Sequence, residues 1–390
     1  MTTYTSTTRT GRLGKDDCDI DLFRESVSEQ VDLANYPHAT SVRENVLIYD
    51  ARSVEGLDAP TREAIQNELA QALLTGPGIV VFEGAFTEAH GMSEATDYFM
   101  DTIAGQHAAG MNSGDHFAKP GTNDRVWSAL QKLAVDRPEV FSKYYSNDVL
   151  ALVSQAWLGP MYQVTSSINV VNPGGRAQNP HRDYHLGFMS VDTAAAFPAH
   201  VHRLSPALTL QGAVAHCDMP LESGPTMYLP FSQRYEPGYI AFNLPEFREY
   251  FAQNYIQLPL RVGDAVFFNP ALFHAAGHNT STGIRRIANL LQVSSAFGRA
   301  IDTVDRKAIV EAIYPSLLRM ASSSSAAFVG NVIAASAEGY AFPTNLDRDR
   351  PTTGLAGETQ AELLSRAVDA AMPAPELTTL LEAQERRRRI

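Results

Sequence analysis

At 390 residues, with 44% hydrophobic and 19% charged side chains, the chain can bury a full core and is not a disordered polymer. A formal net charge of -12 argues against a partner that is nucleic acid or an anionic membrane surface. Cys18 and Cys217, far apart and outside any CxxC pair, argue against a disulfide scaffold or thiolate zinc site and fit a reducing cytoplasm, the expected location.

Residues 1 to about 20 are polar, without the apolar core of a signal peptide, and are expected to be loosely held. From Thr61 to Leu74 the run TREAIQNELAQALL predicts a helix, with Ile65, Leu69, Ala72 and Leu73 at helical spacing. Gly76, Pro77 and Gly78 end it, and Ile79 to Phe82 reads as a strand. A second helix is expected over Glu88 to Ile103, and the glycine-rich stretch Gly110 to Asp124 as a long loop.

The middle of the chain changes character. Short apolar strands are expected at Gln163 to Val171, Leu208 to Ala215, Thr226 to Leu229, Leu258 to Val262, Ala265 to Asn269 and Arg286 to Val293. Turn signals rather than helices separate them, which points to a sandwich or barrel and away from a parallel sheet. Beyond Ile301 the period becomes helical at Val304, Ile309, Ile313, Leu317 and Leu318, with the exposed run Ser322 to Ser325. Two last helices are expected over Glu358 to Ala371 and Pro375 to Arg387. The terminal run Arg386 to Arg389 is basic but short and expected to fray. No apolar run approaches the ~20 residues needed to span a bilayer. The expected organisation is an N-terminal extension over 1–55, a β domain with supporting helices over 56–300, and a helical extension over 301–390. That last part would pack on the domain or join a homo-oligomer.

His181 and Asp183 are two apart, so on a strand they share a face, about 6 to 7 Å apart along the backbone. His274 follows much later, directly after the apolar run FFNPALF. Two imidazoles and one carboxylate are the donor set that holds non-haem Fe(II) with positions left open. The H-x-D pair alone recurs by chance in many chains. Its weight comes from the distant histidine, the arginines after it and the strand-rich segment between. The competing account makes these separate surface histidines, with Asp183 closing a turn. His278, in the turn GHNTSTG, is the rival third ligand, but His274 has a strand to support it. Arg285 and Arg286 are adjacent, so only one can face inward to pair with a planar carboxylate such as that of 2-oxoglutarate. His185 would share the ligand face if the strand continued, as a substrate contact or a hydrogen-bond donor.

These residues resemble the phytanoyl-CoA dioxygenase (PhyH-like) family of Fe(II)- and 2-oxoglutarate-dependent oxygenases. HRDYHLGF from His181 to Phe188 is similar to that family's HxDxH segment. DMPLESGPTMYLP from Asp218 to Pro230 resembles its acidic, Pro-ending hairpin. GDAVFF from Gly263, with His274, Gly277 and Asn279, resembles its distal-histidine segment, and GIVVFEGAF from Gly78 its opening strand. The resemblance spans roughly residues 60 to 295. It implies a mainly β fold with flanking helices, a double-stranded β-helix (jelly roll, cupin-like). It implies His181, Asp183 and His274 as iron ligands and Arg285, eleven residues after His274, as the 2-oxoglutarate anchor. Where some members carry a hydroxyl two residues after the distal histidine, this chain has Ala276, so Thr209, Gln211 or Gln163 would have to supply that bond.

The reaction implied is hydroxylation of an aliphatic C–H of a small, natural-product-type molecule, consuming O2 and releasing succinate and CO2. Iron halogenases of similar type vacate the carboxylate position for halide; with Asp183 in place, hydroxylation is expected. Arg125, Trp127 and Gln178, with Arg176 and Arg182, are candidate substrate contacts, and their charge hints at an anionic substrate. Two other classes compete: a cupin-like metalloenzyme that does not use 2-oxoglutarate, and a non-catalytic β-domain binding protein.

Overall fold

The structure is a computed structural model and describes residues 11–111, 121–351 and 354–389. Ten strands are described: β1 Ser41–Arg43, β2 Val46–Asp50, β3 Ile79–Glu83, β4 Asn123–Val126, β5 Gln163–Val171, β6 Thr209–Ala215, β7 Met227–Leu229, β8 Ala265–Phe268, β9 Phe273–Ala275 and β10 Arg286–Ser294. Eight form one sheet in the order β1-β2-β3-β8-β6-β10-β5-β4, and β7 pairs with β9 in a small second sheet. The β2–β3 pair is parallel; every other pairing in the large sheet is antiparallel.

The large sheet is apolar on both faces, so β2 and β3 read as continuous apolar runs rather than alternating ones. Leu47, Tyr49, Val80, Phe82, Phe267, Leu291 and Val293 pack against the helices. Val46, Ile48, Ile79, Val81, Val266 and Phe268 face the other way, toward Tyr228, Leu258 and Leu272. The molecule is therefore layered as helices, large sheet, cavity and small sheet.

Helix outweighs strand among the described residues, and their large sheet is open, with β1 and β4 at its edges. The expectation of a mainly β chain gives way to a mixed β-sheet core with helices, because one whole face of the sheet needs a helical cover. The helix Ala59–Leu74 starts on Asp58, whose carboxylate accepts from the Thr61 N–H, with Pro60 in its first turn. The loop expected from Gly110 lies mostly outside the described residues and ends in β4. Leu258 to Val262 does not form a strand. Pro259 has no N–H to give, and the segment makes single bridges only, Ile256 to Tyr228 and Leu260 to Met219.

Residues 11–55 are built into this framework. Leu13 is buried, Arg12 bridges to Pro198, and β1 and β2 complete the large sheet. Phe23, on the helix Ile20–Ser26, packs its ring against Tyr235 and Phe273 at centroid distances of 5.2 and 5.1 Å. At the other end, the helices Arg306–Ser323, Ala326–Ser336, Gln360–Asp369 and Ala374–Arg388 bury Ile309, Ile313, Leu317, Val332, Leu364 and Leu381 in the core shared with the sheet. The basic run near the C-terminus is tied down: Arg387 Nε donates to Asp349 Oδ1 at 2.9 Å. No described helix is long and apolar enough to cross a membrane.

Arg182 shows how the ligand segment is anchored. Alternation along an extended chain sends it away from its neighbours His181 and Asp183. Its Nη2 donates to the Ser232 and Tyr235 carbonyls at 2.7 and 2.9 Å, and its guanidinium lies over the Tyr239 and Phe273 rings. It therefore braces the fold and does not line the cavity. A Cβ at Gly238 would collide with this guanidinium. Gly238→Ala is expected to cost roughly 1–3 kcal/mol through overpacking. Denaturant titration would register that loss; unchanged stability would show that Arg182 is free to move.

Candidate metal centre

His181 sits opposite His274 in an isolated antiparallel bridge: the His181 N–H donates to the His274 carbonyl at 3.0 Å and the His274 N–H returns a bond at 3.2 Å. The bridge adds a third segment beside β9 and β7. The Asp183 N–H donates to the Pro270 carbonyl at 3.0 Å, fixing the carboxylate beside the two rings. One nitrogen of each imidazole and an oxygen of Asp183 all lie within 4.8 Å of one another.

The tautomers are set by the backbone. His181 Nδ1 lies 3.0 Å from the Asn179 carbonyl and His274 Nδ1 lies 2.8 Å from the Leu272 carbonyl. A carbonyl only accepts, so each Nδ1 carries the proton and each Nε2 keeps its lone pair, the form a metal needs. Those Nε2 atoms point at Asp183, at 3.6 Å for His181 and 3.4 Å for His274. Burial alone would raise the Asp183 carboxyl; the facing His181 and His274 rings and the Gln211 amide outweigh it and hold the group well below the usual carboxylate range. The Phe268 ring packs edge-on against His274 at 4.8 Å and walls one side. This donor set fits a divalent iron site with open positions.

Gln211, on β6, donates from Nε2 to Asp183 Oδ2 and lines the cavity. Such partners orient a ligand and typically carry 10–100-fold in metal affinity. Gln211→Leu is expected to weaken Fe(II) binding roughly tenfold or more with the fold intact. Iron titration followed by absorption checks this; unchanged affinity would leave Gln211 a spectator.

A cavity of about 260 Å³ opens from the triad between the two sheets. Arg286 lines it, and Arg285 does not. The Arg285 side chain is 41% exposed, reaching Asp124 at 3.6 Å and Asn172 at 3.2 Å, outside the cavity. Arg286 is 5% exposed, and its Nη1 is buried without a hydrogen-bond partner. Burial pushes this guanidinium down to about 10, so it stays charged at neutral pH. The expectation for Arg285 is thus corrected by one residue. On β10, Ile287, Leu291 and Val293 belong to the core shared with the helices, which turns Arg286, Ala288, Leu290 and Gln292 toward the cavity.

Gln163 and Thr209 are corrected too. Gln163 Nε2 donates to the Ser295 carbonyl at 3.0 Å, and neither residue lines the cavity. Of the three candidates to replace the hydroxyl missing at Ala276, only Gln211 reaches it. His185 is also displaced. Tyr184 and His185 take φ of 62° and 44°, a left-handed turn that ends the extended run, and His185 opens a short 3-10 helix instead of a third position on the ligand face. Arg176 is exposed, and His278 is exposed and outside the ligand cluster.

Arg125, Trp127 and Gln178 do line the cavity. Gln178 takes the place beside Ala276: its N–H donates to the Ala276 carbonyl at 2.9 Å, and the Ala276 N–H donates to its Oε1 at 3.3 Å. Asn169 and Tyr228 also line it and were not singled out from the sequence. Asn169 could have been found by parity, since Ile168 and Val170 flank it as apolar neighbours on β5.

The site defines the class: a mononuclear non-haem iron enzyme with two histidine ligands and one carboxylate. A profile of the family described as phytanoyl-CoA dioxygenase (PhyH) matches residues 60–287, more than half of the chain. The chain belongs to that family of Fe(II)- and 2-oxoglutarate-dependent oxygenases. The dioxygenase olcK of Penicillium canescens is 24% identical over 225 residues, which is 57% of this chain and 69% of that protein. The non-heme alpha ketoglutarate dependent epimerase SnoN from nogalamycin biosynthesis superposes with a TM-score of 0.40 at 18% identity, over 60% of this chain and 84% of that one. The carbocyclase SnoK from the same biosynthesis gives 0.41 at 20% identity, over 62% and 86%.

Proposed function

We propose that this protein uses Fe(II) and 2-oxoglutarate to hydroxylate an aliphatic C–H of a small molecule, within a framework that is an opened double-stranded β-helix. The observation that carries the reading is the convergence of two backbone-locked imidazoles and one carboxylate on a single point between the two sheets. Hydroxylation is favoured because Asp183 fills the third protein position, leaving no gap for a halide.

When bound, Fe(II) with 2-oxoglutarate and O2 would supply the oxidising power, the co-substrate being converted to succinate and CO2. The chain's own groups prepare that event. His181, Asp183 and His274 would hold the metal, and Gln211 would keep the carboxylate turned toward it. The unpartnered Arg286 guanidinium offers a planar, doubly donating cation to the distal carboxylate of 2-oxoglutarate. Val81, Leu258, Leu260 and Val266 line the same cavity, and an apolar lining strengthens such an ion pair. The Tyr228 phenol, pushed up by burial, stays protonated and can donate in the same cavity.

The test is succinate release from 2-oxoglutarate by purified protein under Fe(II) and air, against an iron-free control. Iron-dependent succinate is expected. Iron binding without any 2-oxoglutarate turnover would instead favour a cupin-like metalloenzyme, and absence of both a non-catalytic binding domain.

A further inference from the structure

A guanidinium by itself does not satisfy a carboxylate, whose two oxygens offer about four acceptor sites. Arg286 therefore needs further donors at its end of the cavity. Gln211 cannot add one, because its Nε2 is committed to Asp183 and its Oε1 only accepts.

The small sheet offers two hydroxyls instead. β7 and β9 run antiparallel, with Met227 opposite Ala275 and Tyr228 opposite His274. One residue further along that register, Thr226 falls opposite Ala276. The strands stay close beyond this point, since a Cβ at Gly277 would collide with the Pro225 and Gly224 carbonyls. Thr226 and Tyr228 are two apart and share a face, and both line the cavity with His274 and Ala276. Directly opposed residues of an antiparallel pair hold their Cβ atoms about 4.5–5.5 Å apart. The Thr226 hydroxyl thus stands on the same wall as Ala276, one strand over from the position that lacks one.

Tyr228 joins this wall to Arg286. The residue is 5% exposed, and the groups that face its phenol and oppose the effect of burial are the Thr226 hydroxyl and the Arg286 guanidinium. Of the groups around Arg286, Tyr228 in turn acts on it most strongly. Arg286 comes from the large sheet and the two hydroxyls from the small one, so the donors approach a ligand from opposite layers. Met219, Pro225, Leu258 and Leu260 line the same cavity, and an apolar lining strengthens charge-assisted hydrogen bonds.

Resting on the oxygenase reading, we propose that Tyr228 and Thr226 complete a carboxylate cradle with Arg286, so that the hydroxyl absent at Ala276 is supplied from the facing strand. Tyr228 donates to the far carboxylate of 2-oxoglutarate beside the Arg286 fork. Thr226 is a positioning residue that keeps the phenol turned toward it.

The experiment loads the full chain anaerobically with Fe(II) and titrates the visible charge-transfer band of its oxo-acid chelate. The two probes are 2-oxoglutarate and 2-oxopentanoate, which has the same carbon chain without the far carboxylate. The preference for 2-oxoglutarate is the readout, because damage to the iron site or the fold weakens both acids alike. Tyr228→Phe is expected to lower that preference at least about tenfold, through loss of one hydrogen bond to a charged group. Thr226→Val should lower it about threefold or more, and adding Ala276→Ser to Thr226→Val should restore it. A preference unchanged in Tyr228→Phe, or a weakening shared equally by both acids, overturns the proposal, while the band itself keeps the oxygenase reading standing. A loss of preference in Gln178→Leu with none in Tyr228→Phe overturns it as well, by giving the bond to the amide beside Ala276. Failure of the Ala276→Ser rescue overturns the exchange of hydroxyls between facing strands. If neither acid produces the band in the unaltered protein, the oxygenase reading falls and the cradle with it.

Discussion

Asp183→Ala is expected to abolish iron-dependent succinate formation and to weaken Fe(II) binding by more than about 100-fold, beyond the range seen for partners that only orient a ligand. Asp183 is the one anionic donor of the triad, and its two oxygens face both imidazoles at 3.6 and 3.4 Å. Without it, two neutral nitrogens remain, too few and too weakly charged to retain a labile ferrous ion. The loss should be one of metal and not of fold, because the Asp183 backbone keeps its bond to Pro270 whatever the side chain. Metal analysis, succinate assay and circular dichroism on the same sample separate the two. Full turnover in this variant would remove Asp183 from the ligand set.

Arg286→Ala is expected to raise the KM for 2-oxoglutarate by at least about 30-fold, since truncating one partner of a buried charge pair costs roughly 2–5 kcal/mol. Arg285→Ala should change it by less than about threefold, as an exposed ion pair contributes little. The contrast is the informative part. Arg285 already has Asp124 and Asn172 at the surface, whereas Arg286 has a buried nitrogen with nothing to bond. Arg286→Lys should recover part of the affinity, because a point charge replaces the fork. Steady-state kinetics with varied 2-oxoglutarate measure all three. A larger effect from Arg285 than from Arg286 would reverse the assignment.

Much of the site was legible in the chain because its parts are local. The two-residue spacing of His181 and Asp183 places them on one face whatever surrounds them, and the run FFNPALF announces a supported His274 rather than His278. The strands Gln163 to Val171 and Arg286 to Val293 were readable from β-branched and apolar runs, and the structure begins and ends them within a residue of that reading. His185 shares the ligand face only if the strand continues, and the chain instead turns where no glycine or proline marks it. Tyr184 and His185 adopt positive φ without any such signal in the sequence. Gln163 and Thr209 are candidates by residue type alone, and type does not say which face a side chain takes.

Residue order and spacing carry the donor set: two imidazoles and a carboxylate suited to ferrous iron, with a guanidinium close behind. Which arginine enters the cavity, which amide holds Asp183 and that a helical layer covers the sheet emerge from the packing of distant segments. The reason is that strand faces are assigned by the pairing of the whole sheet. A shift of one residue moves a side chain from the cavity to the opposite side, and nothing within a single strand records the register of its neighbours.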